Sequence, residues 1–188
     1  MHLVDLESGF FAAVPIVGST IPIAVGVAWA FKLKKSSNIV TVFLGDGATE
    51  EGVFFESLDF ASLKKVPILF VCENNFYSVY SQLNVRQSPD RKLSVLAESH
   101  GIKSFTGDGN NIDQVSKISK KAVDYIKENN CPAFVEFDTF RWLEHCGPNG
   151  DDHLGYRIKG ELSQWLKKDP IDLFKSKIIE NHEIDNND

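Results

Sequence analysis

Basic residues, cysteine and unbroken apolar runs are all scarce in this 188-residue chain, and each shortage removes a class of function. Twenty Lys and Arg stand against 26 Asp and Glu, a formal charge of -6, and no basic stripe recurs. That balance argues against a nucleic-acid partner, because phosphate binding needs clustered cations. Three cysteines, Cys72, Cys131 and Cys146, are an odd number without metal-ligand spacing. They imply neither a disulfide framework nor a zinc site and fit a reducing, cytoplasmic setting. No internal repeat or low-complexity linker is present. The 24 residues from Ser8 to Phe31 carry no charge, which on length alone would satisfy the criterion for a membrane span. Gly9, Pro15, Gly18, Pro22 and Gly26 interrupt them, and the preceding Asp5 and Glu7 supply no positive flank for a signal peptide. The run therefore reads as an apolar loop over 10–17 and a buried helix starting near Ser19, with Pro22 in its first turn, rather than as a membrane segment.

What is present in quantity is core-forming material: 43% of the residues are hydrophobic and 24% charged, enough for one domain over 1–180 with a frayed tail over 181–188. After the first helix, strand-like and helix-like patterns alternate. Residues 39–44 and 68–72 are continuous apolar runs of buried-strand type. The segment 50–65 reads as a helix with Phe54, Phe55, Leu58, Ala61 and Leu63 on one broad apolar side. A polar loop over 76–92, a short helix over 93–100 and a brief strand over 104–106 follow. The spacing of Val115, Ile118, Ala122 and Ile126 predicts a helix over 111–129, then a strand over 133–140. Glycines, Pro148 and Asn149 make 141–157 a loop before helices over 158–167 and 170–180. This order predicts an α/β fold, a doubly wound, mostly parallel sheet with helices on both faces. Ligands in such folds bind beyond the carboxyl ends of the strands.

Two strand ends carry the candidate chemistry. Gly45-Asp46-Gly47 lets the backbone approach a ligand closely, offers the amides of Gly47 and Ala48, and presents one carboxylate. Glu73-Asn74-Asn75 ends the next strand. Mg²⁺ takes about six oxygens, usually one or two from side chains and the rest from phosphate, carbonyl and water. Asp46, the amide of Asn75 and the Tyr77 carbonyl form such a set. Either turn alone is ordinarily only a turn. Asp46 and Asn75, 29 residues apart and bracketing one helix and one strand, have the βαβ spacing that brings successive strand ends together.

Taken together, Gly45-Asp46-Gly47 and Glu73-Asn74-Asn75 resemble the thiamine-diphosphate fingerprint. The segments 45–52 and 72–77 resemble the α subunit of thiamine-diphosphate-dependent 2-oxo acid dehydrogenases, the group acting on pyruvate, acetoin or branched-chain acids. The resemblance runs from Met1 to about Phe174. It implies that Asp46, Asn75 and Tyr77 bind Mg²⁺, that Gly45, Gly47 and Ala48 help hold the diphosphate, and that Pro15 and Val17 touch the aminopyrimidine through their backbone. The segment 141–149 resembles the family's Arg-x-His-Gly-His-Ser stretch, which places His145 near the diphosphate in a binding or proton-transfer role.

This chain departs from the family pattern at three places. Pro15 stands where the family usually has glycine. Leu143 replaces the first histidine of the late loop and Cys146 a serine that some relatives phosphorylate. The resemblance also starts at a point preceded in full-length relatives by a further segment with cofactor and substrate contacts, so the chain is expected to be a split subunit or a fragment. The resemblance implies a β-type partner subunit supplying the pyrimidine-binding domain and its activating carboxylate, an α2β2 assembly, and a lipoyl-bearing acyltransferase as acceptor. The apolar stretch 10–31 would be contact surface. Two alternatives stay open: a split transketolase-like ketol transferase, and a non-catalytic cofactor-binding subunit. Plainer readings suit the other candidates. His2 is a terminal histidine, Asp151, Asp152 and His153 a solvated loop, Cys146 a thiol without a base, and Glu50, Glu51 and Glu56 an acidic, solvated or interfacial helix start.

Overall fold

The computed structural model describes residues 2–181. The chain opens with an antiparallel hairpin, β1 (Leu3–Asp5) and β2 (Phe10–Ala13), and continues into α1 (Thr20–Leu33). Next come β3 (Val40–Gly45), a 3-10 turn over Asp46–Glu50, α2 (Gly52–Lys64) and β4 (Ile68–Asn74). A two-stranded ribbon, β5 (Tyr77–Ser78) and β6 (Ser81–Gln82), is followed by a single helical turn, α3 (Leu83–Arg86). Then follow α4 (Leu93–Ser99), β7 (Lys103–Asp108), α5 (Ile112–Asn129) and β8 (Ala133–Asp138). A 3-10 turn over Asp152–Leu154 and the helices α6 (Glu161–Leu166) and α7 (Pro170–Glu180) complete the described residues.

Strands β3, β4, β8 and β7 form a parallel sheet in that order. Alternation along β4 explains why both faces are covered: Ile68, Phe70 and Cys72 point one way, Leu69 and Val71 the other. The first face packs against α1, α2 and α4 through Ile21, Ala28, Phe54, Leu58, Ala61 and Ala97. The second packs against α5 through Ala122 and Ile126, flanked by Val115 and Ile118. Helix α5 lies so close to β7 that a Cβ on Gly107 would stand 2.3 Å from Ile118 Cδ1. The expected doubly wound α/β architecture is the one found.

Local signals explain where elements stop. Asn111 caps α5 by accepting from the Gln114 amide at 3.1 Å, and Asp169 caps α7 ahead of Pro170. Lys65 and Asn130 end α2 and α5 in the left-handed region, at φ of 50° and 49°.

Several expected boundaries are corrected. The stretch 10–17 is not wholly loop: Phe10–Ala13 pairs with Leu3–Asp5, a register too short and irregular to leave an alternating pattern. Leu63 does not join the apolar side of α2 and is 77% exposed, because it lies nearly half a turn from the Leu58 and Ala61 face. The last strand ends at Asp138, and β7 is longer than the expected 104–106. The loop 76–92 contains the ribbon and α3, and the loop 141–157 contains a 3-10 turn. The tail expected over 181–188 lies, from residue 182 on, outside the described residues. Among the described residues no helix is long and apolar enough to cross a membrane, the uncharged run being divided between β2 and the 14-residue α1.

Phe70 is fully buried in β4, level with Val42 and Phe134 on its neighbours. Phe70→Ala is expected to cost about 3–5 kcal/mol of stability in urea denaturation, the usual penalty for an emptied aromatic site in a core.

Candidate functional site

Parallel pairing sets Gly45 opposite Glu73 and Asn74 opposite Asp138, so three strands end at one level. Asp46 leaves β3 directly into the 3-10 turn and is 1% exposed. Its carbonyl accepts from Thr49 Oγ1 at 2.6 Å, which closes the turn. Burial pushes the Asp46 carboxyl upward from its ordinary value, an effect that the Arg86 guanidinium partly offsets. Arg86, on α3, donates through Nη2 to Asp46 Oδ2 and through Nη1 to Glu50 Oε1, while its Nε donates to the Ser81 carbonyl at 3.1 Å.

The second turn is built from its own side chains. Asn74 Oδ1 accepts from the Phe76 amide at 3.1 Å and Asn75 Oδ1 from the Tyr77 amide at 3.0 Å. Phe76 takes φ 65°, which turns the chain into β5. The turn then closes on the first: a Cβ added to Gly47 would stand 2.7 Å from Ser78 Oγ and 3.1 Å from Ser78 Cβ. Any larger residue there would have to move the Ser78 side chain. Gly45, Asp46, Gly47, Ala48, Asn75 and Tyr77 are thus gathered at neighbouring strand ends. Gly18 approaches the start of α2, its hypothetical Cβ 3.2 Å from Glu51 Cγ, and the exposed Pro15 and Val17 lie on the loop just before it.

Asn74 Nδ2 donates to Glu136 Oε1 at 2.9 Å beneath a polar cavity of about 350 Å³, which Gln87, Arg91 and Asp138 also line. Burial raises the Glu136 carboxyl above its ordinary 4.5.

His145 is exposed on the late loop. Glu144 closes that loop by accepting from Asn149 Nδ2 at 2.8 Å, and its amide donates to the Asn149 carbonyl at 2.9 Å. Arg141 Nη2 reaches the Val79 carbonyl at 2.9 Å and the Tyr156 hydroxyl at 2.8 Å, which ties the His145 loop to the β5–β6 ribbon. Gln82 Nε2 donates to the Tyr156 carbonyl at 2.9 Å, and the Tyr77 hydroxyl to Glu161 Oε2 at 2.5 Å. Burial, together with the Glu161 partner, pushes the Tyr77 phenol up to about 12.

Two plain readings are corrected. Asp151 is no solvated loop residue: it is 1% exposed, lies 2.8 Å from Arg157 Nη2 and accepts from the Tyr156 hydroxyl, because a buried carboxylate in this tertiary setting needs a charge partner. Glu50 is not merely solvated, since Arg86 and Gln87 both donate to it. Among the described residues no group of three or more His, Cys, Asp or Glu is arranged to hold a metal. One carboxylate with an amide and a backbone carbonyl is instead a set for a hard cation whose remaining ligands come from phosphate and water. Sequence reasoning missed Arg86, Asp151, Tyr156, Arg157 and Glu161. Arg86 meets partners 40 and 36 residues away, which no local pattern announces, whereas the two arginines and the aspartate inside a glycine-rich loop were a usable cue.

Gly47→Ala is expected to destabilise the chain by about 1–3 kcal/mol in urea denaturation, with Ser78→Gly in the same chain recovering most of the loss. Glu136 titrates above its unfolded value, so the fold favours the neutral form. Its contribution is complete below the ordinary 4.5 and is lost as pH rises through the shifted value. Glu136→Gln, which keeps the acceptor for Asn74, is expected to flatten the decline in melting temperature from that pH toward neutrality.

Comparison with known proteins concerns the family and the fold. The α subunit of the pyruvate dehydrogenase E1 component from Rickettsia felis is 35% identical over 181 residues, 96% of this chain and 54% of its own length. The chloroplastic α-3 subunit of the Arabidopsis thaliana pyruvate dehydrogenase E1 component is 32% identical over 187 residues, 96% of this chain and 43% of its own. The chain thus spans about half the length of the curated relatives it matches. A Mycobacterium smegmatis structure provisionally described as a thiamin diphosphate-dependent enzyme shares the fold at a TM-score of 0.52 and 20% identity, covering 66% of this chain and 22% of that one. The family model for the dehydrogenase E1 component matches residues 1–187, and the chain belongs to that family.

Proposed function

We propose that the chain is the diphosphate- and Mg²⁺-binding, α-type part of a thiamine-diphosphate-dependent 2-oxo acid dehydrogenase, with pyruvate the substrate its relatives' names suggest. The single observation that carries this reading is the closure of the Gly45-Asp46-Gly47 turn against the Asn75–Ser78 turn, which leaves a backbone cradle at Gly47 that a Cβ would fill. The donor set fits the group. Asp46 would supply the charged ligand to Mg²⁺, Asn75 Oδ1 and the Tyr77 carbonyl the neutral ones, and the amides of Gly47 and Ala48 would meet diphosphate oxygens. When bound, thiamine diphosphate supplies a nucleophilic carbanion that adds to the carbonyl of a 2-oxo acid.

This chain's own residues act around that chemistry. Burial of Asp46 removes competing water from the cation, which strengthens the charge interaction that anchors the cofactor. Pro15 and Val17 present backbone groups to the aminopyrimidine. His145, exposed on a loop that Arg141 ties to the β5–β6 ribbon, would bind the diphosphate or move a proton at its imidazole. The carboxylate that activates the aminopyrimidine would come from a β-type partner in an α2β2 assembly, with a lipoyl group as the acyl acceptor. Exposed Phe10, Phe11, Ile16, Val17 and Ile23 support a contact surface on the β2–α1 side, while Ile21, Ala24, Val25 and Ala28 serve the core of the chain itself.

Asp46→Ala is expected to weaken Mg²⁺-dependent binding of thiamine diphosphate by more than about 100-fold in titration calorimetry, because the one charged ligand is gone. Asn75→Ala, which removes a neutral ligand that water can replace, is expected to cost about tenfold, or ~1.4 kcal/mol. Wild-type affinity in Asp46→Ala would overturn the proposed function.

A further inference from the structure

The Asp46 carboxylate, which the proposed function assigns to Mg²⁺, already has a cation. Arg86 donates to Asp46 Oδ2 with one nitrogen of its fork and to Glu50 Oε1 with the other. The fork is seated, since its side chain is only 11% exposed and its Nε is held by the Ser81 carbonyl. It also stands at the lip of the cradle: the position of a Cβ on Gly47 is 3.9 Å from Arg86 Nη1 and 2.7 Å from Ser78 Oγ. A guanidinium there faces the space where diphosphate oxygens would lie.

Charge decides what can enter. Asp46 and Glu50 bring two negative charges and Arg86 one positive charge. A free divalent ion arriving at Asp46 must displace the guanidinium, and two cations would then crowd one buried carboxylate. Arg86 would keep only Glu50. A diphosphate arriving with the metal changes the balance, because it offers the displaced fork a new anionic partner and bridges the two cations.

We propose, building on the assignment of Asp46 to the metal, that Arg86 is a placeholder cation on Asp46 which moves onto the diphosphate when the metal takes the carboxylate, so that metal binds weakly alone and tightly together with a diphosphate group. Arg86 is then a positioning residue. It keeps the buried carboxylate charge-paired in the free chain and couples metal binding to diphosphate binding. Sequence position supports this as a property of this chain's loop, since Arg86 sits on the one-turn α3 directly after the β5–β6 ribbon that carries Tyr77 and Ser78.

The experiment titrates the full chain with Mn²⁺, followed by electron paramagnetic resonance, in the absence and presence of inorganic diphosphate. Wild type is expected to bind Mn²⁺ weakly alone and at least about 30-fold more tightly with diphosphate. Arg86→Gln is expected to bind Mn²⁺ alone about tenfold more tightly than wild type, and its diphosphate enhancement is expected to fall below about threefold. Arg86→Lys, which keeps a charge but loses the fork, is expected to lie between them. Circular dichroism melting checks that each variant is folded. If both Arg86 variants reproduce the wild-type Mn²⁺ affinity and enhancement while Asp46→Ala loses binding, the placeholder role is overturned and the metal assignment stands. If Asp46→Ala binds as wild type does, or wild type binds no Mn²⁺ even with diphosphate, both fall.

Discussion

The parallel register between β3 and β4 is the constraint on which the carboxyl edge of the molecule rests. With Gly45 opposite Glu73, the residues that leave the two strands emerge side by side, Asp46 into a 3-10 turn and Asn75 into a side-chain-capped turn. A one-residue slip would turn every side chain of one strand to the opposite face. Phe70 and Cys72 would exchange places with Leu69 and Val71, and the cores on the two faces of the sheet would both fail. The packing that stabilises the sheet is therefore also what aligns the site. Helices α1, α2 and α4 on one side and α5 on the other hold that register from both faces, which leaves the turns free to be polar.

Charge at this edge is arranged with little slack. Asp46 is buried enough that its carboxyl is pushed upward, yet it keeps a guanidinium partner, and Glu50 shares that partner. A buried carboxylate without a counter-charge is costly, and the same cost makes it a strong ligand for a cation that can reach it. Under the proposed function, stability of the free chain and affinity for a metal would draw on one carboxylate. Arg86 would reconcile the two demands, because a side chain can be displaced where an apolar plug could not.

The late loop is organised by a second buried carboxylate. Asp151, with Arg157 and Tyr156, forms an anchor from which Arg141 reaches back to the Val79 carbonyl. Tyr77 and Gln82 complete the contact from the ribbon side. The segment carrying His145 and the ribbon carrying Tyr77 consequently belong to one hydrogen-bonded unit, although 68 residues separate those two positions along the chain. Among the described residues the Asp151 cluster and the cluster of Asp46, Arg86 and Glu50 share no ion pair, and the ribbon that carries Tyr77 lies in contact with both.

Apolar runs at 39–44 and 68–72, and the helical spacing from Val115 to Ile126, determined the α/β alternation, because strand and helix periods are local properties that a sequence displays directly. The placement of the two turns was equally legible: each alone is an ordinary turn, but their 29-residue spacing across one helix and one strand put them at the ends of successive parallel strands. The β1–β2 hairpin escaped notice because its strands are short and its apolar residues do not alternate with polar ones. Tertiary structure alone decided that Arg86 pairs with Asp46 and Glu50, that Asp151 is buried, and that Leu63 faces outward. Those outcomes depend on which distant residues share a small volume. Charge pairing and burial follow from three-dimensional proximity, and no period along the chain encodes it.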